Sequence, residues 1–174
     1  EIAKKYEGMY ATIGLHPTHL RHGFFKIKKD PIEAAESVLE ENSFDYEKYK
    51  ELTLSPPKGK VVAIGEIGLD YYYKPKSTVK KEAFKALQKE LFLEQMVLAK
   101  ELDLPVVFHC RMAHADMIEI LKQNSWVRGV IHCFTGTWEE AKQYLDMGLY
   151  LGINGIMYKF DLTEVIKNAP IDKL

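Results

Sequence analysis

The chain has 174 residues, 47% of them apolar, and its 24 lysines and arginines against 25 aspartates and glutamates leave a formal net charge of -1. That length suits one domain with a sizeable core, and near-neutrality excludes a strong overall attraction to nucleic acid or membrane, so any phosphate binding must be local. No apolar run reaches the roughly 20 residues of a membrane-spanning helix, and Glu1-Ile2-Ala3-Lys4-Lys5 lacks the apolar segment of a signal peptide, so a soluble cytoplasmic protein is expected.

Short apolar runs recur along the chain with helical stretches between most of them, an order that predicts parallel β/α units. The runs are Met9 to Leu15, Val61 to Glu66, Pro105 to His109, Gly129 to Phe134 and Leu149 to Ile153. Each is nearly continuous in apolar residues, as when both faces of a parallel sheet are covered. The stretch from Leu20 to Lys58 is charged with scattered apolar residues, and reads as a helical excursion between the first two strands. Phe84, Leu87, Leu91, Met96 and Leu98 give a helix over about Lys81 to Leu102, which ends before Pro105. A second helix is predicted over Ala113 to Gln123. A third starts at Thr137, whose spacing to Glu140 is that of a capping box, and a weaker one covers Leu162 to Asn168. No domain boundary is evident, so residues 1–174 read as a single domain. The pattern fits either an open doubly wound sheet or part of a (β/α)8 barrel.

The ionisable residues are the informative feature. Glu66, His109 and His132 each close an apolar strand, and His16 follows Gly14-Leu15 at the end of the first, where a barrel carries its catalytic face. A carboxylate and two imidazoles suit a divalent ion such as zinc or manganese. The same residues can also run metal-free acid/base chemistry, a histidine serving as base and a carboxylate orienting it. No serine stands in a Gly-x-Ser-x-Gly elbow, and no Gly-x-Gly-x-x-Gly or phosphate-loop motif is present. Cys110 and Cys133 each follow a strand histidine, so strand alternation turns them away if the histidines face a site, and they read as reduced structural thiols. Arg111 is a candidate for gripping an anionic substrate oxygen, and Asp70 for orienting a metal ligand. Tyr71, Tyr72 and Tyr73 precede Lys74, Lys76, Lys80 and Lys81, a mixture that can stack bases and pair phosphates.

Four segments together resemble the strand-end motifs of the TatD family, in that family's order: Gly14-Leu15-His16-Pro17, Ala63 to Asp70 (AIGEIGLD), Pro105 to Arg111 (PVVFHCR) and His132-Cys133-Phe134-Thr135-Gly136. Gln88, Phe92, Gln95 and Ala99 in the preceding helix look like the family pattern too. The resemblance implies an α/β fold of the (β/α)8 TIM-barrel metal-dependent hydrolase type, with about five of its eight β/α units here. It implies a deoxyribonuclease that cleaves DNA phosphodiester bonds with a metal-activated water, using magnesium, manganese or zinc. Glu66, His109 and His132 would be the metal-binding, catalytic residues, with His16, Arg111 and Asp70 about the substrate. The family's first strand with His-x-His and its last strand with a metal-binding aspartate have no counterpart in the chain. It therefore reads as a fragment, catalytically incomplete by itself, with a possible second chain supplying the missing strands and otherwise monomeric. A metal-dependent ester or amide hydrolase acting on a small molecule or an aminoacyl-RNA is the alternative, because fold and ligands do not fix the substrate.

Overall fold

The computed structural model describes residues 2–20, 24, 43–55, 57 and 59–174. After a short helix α1 (Ile2–Lys5), the elements run β1 (Ala11–Ile13), α2 (Tyr46–Leu54), β2 (Val61–Asp70), α3 (Thr78–Glu101), β3 (Val106–Arg111), α4 (His114–Lys122), β4 (Gly129–His132), α5 (Trp138–Asp146), β5 (Tyr150–Leu151) and α6 (Thr163–Asn168). The strands form one sheet in the order β1-β2-β3-β4-β5, and every neighbouring pair is parallel. That is the α/β arrangement of successive β/α units in a TIM-type barrel. Of the predicted charged excursion, α2 is seen, and residues 25 to 42 lie outside the described residues. Among the described residues no helix is long and apolar enough to cross a membrane.

The long helix α3 shows why these residues take this form. Its Ser77 side chain accepts from the Lys80 backbone N–H at 3.2 Å, capping the start as the free first-turn donors require. It stops at Leu102, after which Asp103 turns left-handed (φ 51°) and Pro105 stands directly before β3. Its buried face carries Phe84, Leu91, Phe92, Met96, Leu98 and Ala99, with Gln88 and Gln95 among them. Those apolar groups join Ile64, Ile67, Leu69, Phe108 and Ile131 of the strands in one core. Burying a side chain of this size stabilises the fold by about 1.5–3 kcal/mol, so this seam holds the helix on the sheet. The capping box predicted at Thr137 is present: Glu140 N–H donates to the Thr137 hydroxyl at 3.3 Å, and Thr137 N–H donates to the Glu140 carboxylate at 2.8 Å.

Three strand boundaries differ from the sequence reading in ways that shape the site, and in one of them β3 runs past His109 to Arg111, so His109 lies within its strand. β2 continues past Glu66 to Asp70, because Gly68, Leu69 and Asp70 pair with His109, Cys110 and Arg111 of β3. Glu66 thus lies within the strand and not at its end. The register shifts between Gly65 and Ile67, which pair with the consecutive residues Val107 and Phe108, and leaves Glu66 as the extra residue of a bulge. A bulge re-aims a side chain, and here it turns a carboxylate toward the histidines. β4 ends at His132, because Cys133 adopts a left-handed conformation (φ 48°) that a strand cannot continue.

Candidate functional site

Glu66, His16 and His109 converge above the strand ends. One Glu66 carboxylate oxygen lies 2.9 Å from His109 Nδ1 and 3.8 Å from His16 Nε2, and the three ligand atoms fall within 4.8 Å of one another. The two imidazole rings meet edge to face, with centroids 4.3 Å apart. Burial by itself would raise the Glu66 pKa, but the hydrogen bond from His109 and the nearby His16 outweigh it, and Glu66 is held far below the usual carboxylate range. It is an anion at neutral pH.

The outer edges of the two rings decide what each can do. His109 Nε2 lies 3.0 Å from an Asp70 carboxylate oxygen. A carboxylate only accepts, so Nε2 carries a proton, and in neutral His109 the Nδ1 lone pair faces Glu66. Two acceptors 2.9 Å apart need a cation or a second proton between them. Burial would lower the His109 pKa, but Asp70 and Glu66 raise it above its ordinary value, so without a cation the proton takes that place. His16 is the reverse case. Its Nδ1 accepts the Thr18 backbone N–H at 3.2 Å, with the Thr18 hydroxyl at 2.6 Å, so in neutral His16 the proton sits on Nε2. Glu66 and His109 thus fit a divalent ion with an anionic oxygen and an imidazole nitrogen, whereas His16 presents a donor. The donor set suits the metal implied by the sequence.

Asp70 is only 2% exposed and backs the site from behind His109. It also accepts from Arg111 Nε at 3.0 Å and Nη2 at 2.7 Å, and from Tyr72 N–H at 3.0 Å. Burial would raise its pKa, but these donors and His109 hold it below the ordinary value. Such a carboxylate fixes the tautomer and orientation of a ligating imidazole. Its burial behind His109 fits the orienting role read from the residues, and keeps it off the substrate-facing surface that the resemblance implied. Arg111, bound to Asp70, also lies 4.3 Å over the Tyr72 ring and 5.1 Å over that of Tyr73.

His132 pairs with His109 across β3 and β4 at the backbone, yet its side chain stands outside the His16–Glu66–His109 group. Its Nε2 lies 3.1 Å from the Cys133 thiol, which also receives the Asn154 amide. The left-handed turn at Cys133 keeps that thiol beside the strand end, and not on the opposite face as alternation predicts. Cys110 does lie on the opposite face, buried against His114 and Tyr144, and burial pushes its thiol up to about 12. His109, Arg111, His132, Tyr72, Lys159 and Phe160 border a cleft of about 1020 Å³.

The sequence reading gave no role to two glutamines, Gln88 and Gln95. Gln88 accepts the Asp70 N–H at 2.7 Å and donates to the Asp70 carbonyl at 2.9 Å. Gln95 does the same for Leu15, at 2.6 and 3.2 Å, directly before His16. Each braces the backbone of a strand end that carries a site residue. Their signal in the sequence is a polar side chain, seven residues apart, within an otherwise apolar helix face.

Comparison with known proteins agrees with this architecture. The family described as TatD related DNase matches residues 1–174. The chain is 36% identical to the uncharacterized metal-dependent hydrolase YabD of Bacillus subtilis over 100% of its length and 59% of that protein. It is 35% identical to the 3'-5' ssDNA/RNA exonuclease TatD of Cronobacter sakazakii, over 99% of the chain and 57% of the relative. The crystal structure of YJJV, a TatD homologue from Escherichia coli K12, superposes with a TM-score of 0.74 at 29% identity, covering 99% of this chain and 58% of that one. The chain thus spans less than three-fifths of each of these relatives. With a family match over its whole length, the chain belongs to the TatD-related DNase family.

Proposed function

We propose that the protein carrying this chain is a divalent-metal-dependent hydrolase of DNA phosphodiester bonds. The carrying observation is the face-to-face pair of Glu66 and His109 Nδ1 at 2.9 Å, with Asp70 fixing the other edge of the imidazole at 3.0 Å. Glu66 and His109 hold the ion. His132, whose backbone pairs with His109 and whose side chain borders the same cleft, is the third ligand, as the family motif implies.

A divalent ion held there supplies Lewis acidity, offsetting charge on phosphoryl oxygens and making a water a better nucleophile at neutral pH. The protein's own residues bind and orient. His16 directs its Nε2 proton toward the site, and Arg111 presents guanidinium donors at the cleft, so both suit the oxygens of a phosphodiester. Asp70 keeps the proton on His109 Nε2 and leaves Nδ1 free to ligate. Relatives named as deoxyribonucleases, among them the deoxyribonuclease Tat-D of Schizosaccharomyces pombe at 32% identity, support DNA as the substrate.

A second reading has its own observation. The far wall of the cleft carries Glu139, Glu140, Asp161 and Glu164 with Lys159, an acidic surface that suits a small ester or amide better than a polyanion. End-labelled single-stranded DNA, incubated with the full-length protein and manganese or magnesium beside a panel of small esters and amides, separates the two. DNA hydrolysis lost in His109→Ala supports the nuclease. Intact DNA with turnover of a small ester or amide transfers the assignment to the second reading.

A further inference from the structure

The surroundings of the site are electrically lopsided. On the α5 and α6 side stand the four carboxylates just named. On the β2 side, Arg111 leads to Tyr72 and Tyr73, which are 56% and 39% exposed and meet edge to face with centroids 5.1 Å apart. Directly beyond lies a separate pocket of about 220 Å³ lined by Tyr71, Tyr73, Lys74, Lys81, Phe84 and Lys85, with Pro75. Lys85 is paired with Glu82 at 3.4 Å and sits 5.1 Å over the Tyr71 ring. The Asp116 carboxylate next to it is taken by the Tyr71 hydroxyl at 2.7 Å and by Lys89 at 2.8 Å. Lys74 and Lys81 have no ion-pair partner among the described residues, so among these residues the pocket keeps two uncompensated positive charges.

We propose that this strip is a subsite for the flanking strand of a single-stranded nucleic acid: bases stack on Tyr72 and Tyr73, and the next phosphate enters the pocket between Lys74 and Lys81. The inference rests on the phosphodiester reading and deepens it by assigning the direction in which the strand leaves the cut. Three observations carry it. Tyr72 and Tyr73 are exposed beside the guanidinium of Arg111, and the ring surface they leave to solvent supplies stacking that tolerates any base. The paired acids leave lysine charge unspent, which is what a phosphate requires. Arg111 joins the strip to the site through Asp70 and His109 without a break in contact. The opposite wall repels a phosphate chain, which favours the Tyr72 side over the α5 and α6 side.

The test compares the full-length wild type with Lys74→Gln/Lys81→Gln and with Tyr72→Ala. Binding of a fluorescein-labelled strand of about twelve thymidines is read by anisotropy with chelator present, across a range of potassium chloride concentrations. Hydrolysis of that strand and of bis(p-nitrophenyl) phosphate, which is too small to reach the pocket, is read with manganese. In the double lysine variant the salt slope flattens by about 0.7, the loss of one neutralised phosphate on a single strand, and binding weakens. Tyr72→Ala weakens binding without changing the slope, and the small diester is cut as by wild type in the lysine variant. Unchanged affinity and slope in the lysine variant overturns the inference, as does a wild type that does not bind the strand. A wild type that binds the strand and cuts neither substrate overturns the phosphodiester reading and leaves the subsite standing.

Discussion

Asp70 and His109 are joined carboxylate to imidazole at 3.0 Å, on the ring edge opposite Glu66, and the same Asp70 oxygen receives Arg111. One buried anion therefore sets the tautomer of a proposed metal ligand and the position of a proposed phosphate donor. Replacing Asp70 with Asn keeps the shape and removes the charge. The Asp70→Asn variant is expected to bind manganese about 10–100-fold more weakly than wild type by isothermal titration. Equal affinity in the two proteins would show that Asp70 does not act through His109.

The backbone braces give a stability prediction. Gln88→Leu leaves the Asp70 N–H and carbonyl without their partners in a position where water is excluded. Stranding two buried polar groups costs on the order of 2 to 4 kcal/mol. Urea denaturation is expected to show a midpoint shifted down accordingly, and Gln95→Leu to do the same through Leu15. A midpoint within about 0.5 kcal/mol of wild type would mean that the strand ends hold themselves.

His114 contributes a pH dependence of its own. It is 7% exposed, and burial holds its pKa below the ordinary imidazole value. As pH falls below about 6.5, the unfolded chain takes up a proton there that the folded chain resists. The stability associated with His114 is thus full above its unfolded pKa and is lost as pH falls toward its folded one. Its ring stands 5.3 Å from Phe134 and its Nδ1 lies 3.0 Å from the Tyr144 hydroxyl, so His114→Phe keeps a ring in the core. Between roughly pH 7.5 and 5.5, wild type is expected to lose more stability than His114→Phe, measured by urea midpoints at each pH. Parallel profiles in the two proteins would remove His114 as the cause.

The sequence carried the alternation of strands and helices, because it is written in local patterns. Apolar runs marked all five strands, and Thr137 with Glu140 marked a cap that the structure contains. What it did not show depends on contacts between distant segments. The extension of β2 to Asp70 comes from pairing with β3, some forty residues later, and the bulge at Glu66 is visible only once that register is known. The left-handed turn at Cys133 broke the alternation that would have turned its thiol away. His16 had the right place for the site, but its character as a donor follows from the Thr18 N–H that fixes its tautomer. Gln88 and Gln95 were legible only as part of the family pattern, and their backbone partners give them a role.

The most direct test of the account is calorimetric titration of manganese into the full-length protein and into His109→Ala, His132→Ala and His16→Ala. The account predicts that His109→Ala weakens binding by more than about 100-fold, that His132→Ala weakens it clearly, and that His16→Ala, which loses a donor and not a ligand, stays close to wild type. Wild-type affinity in His109→Ala, or loss of binding in His16→Ala alone, would contradict it.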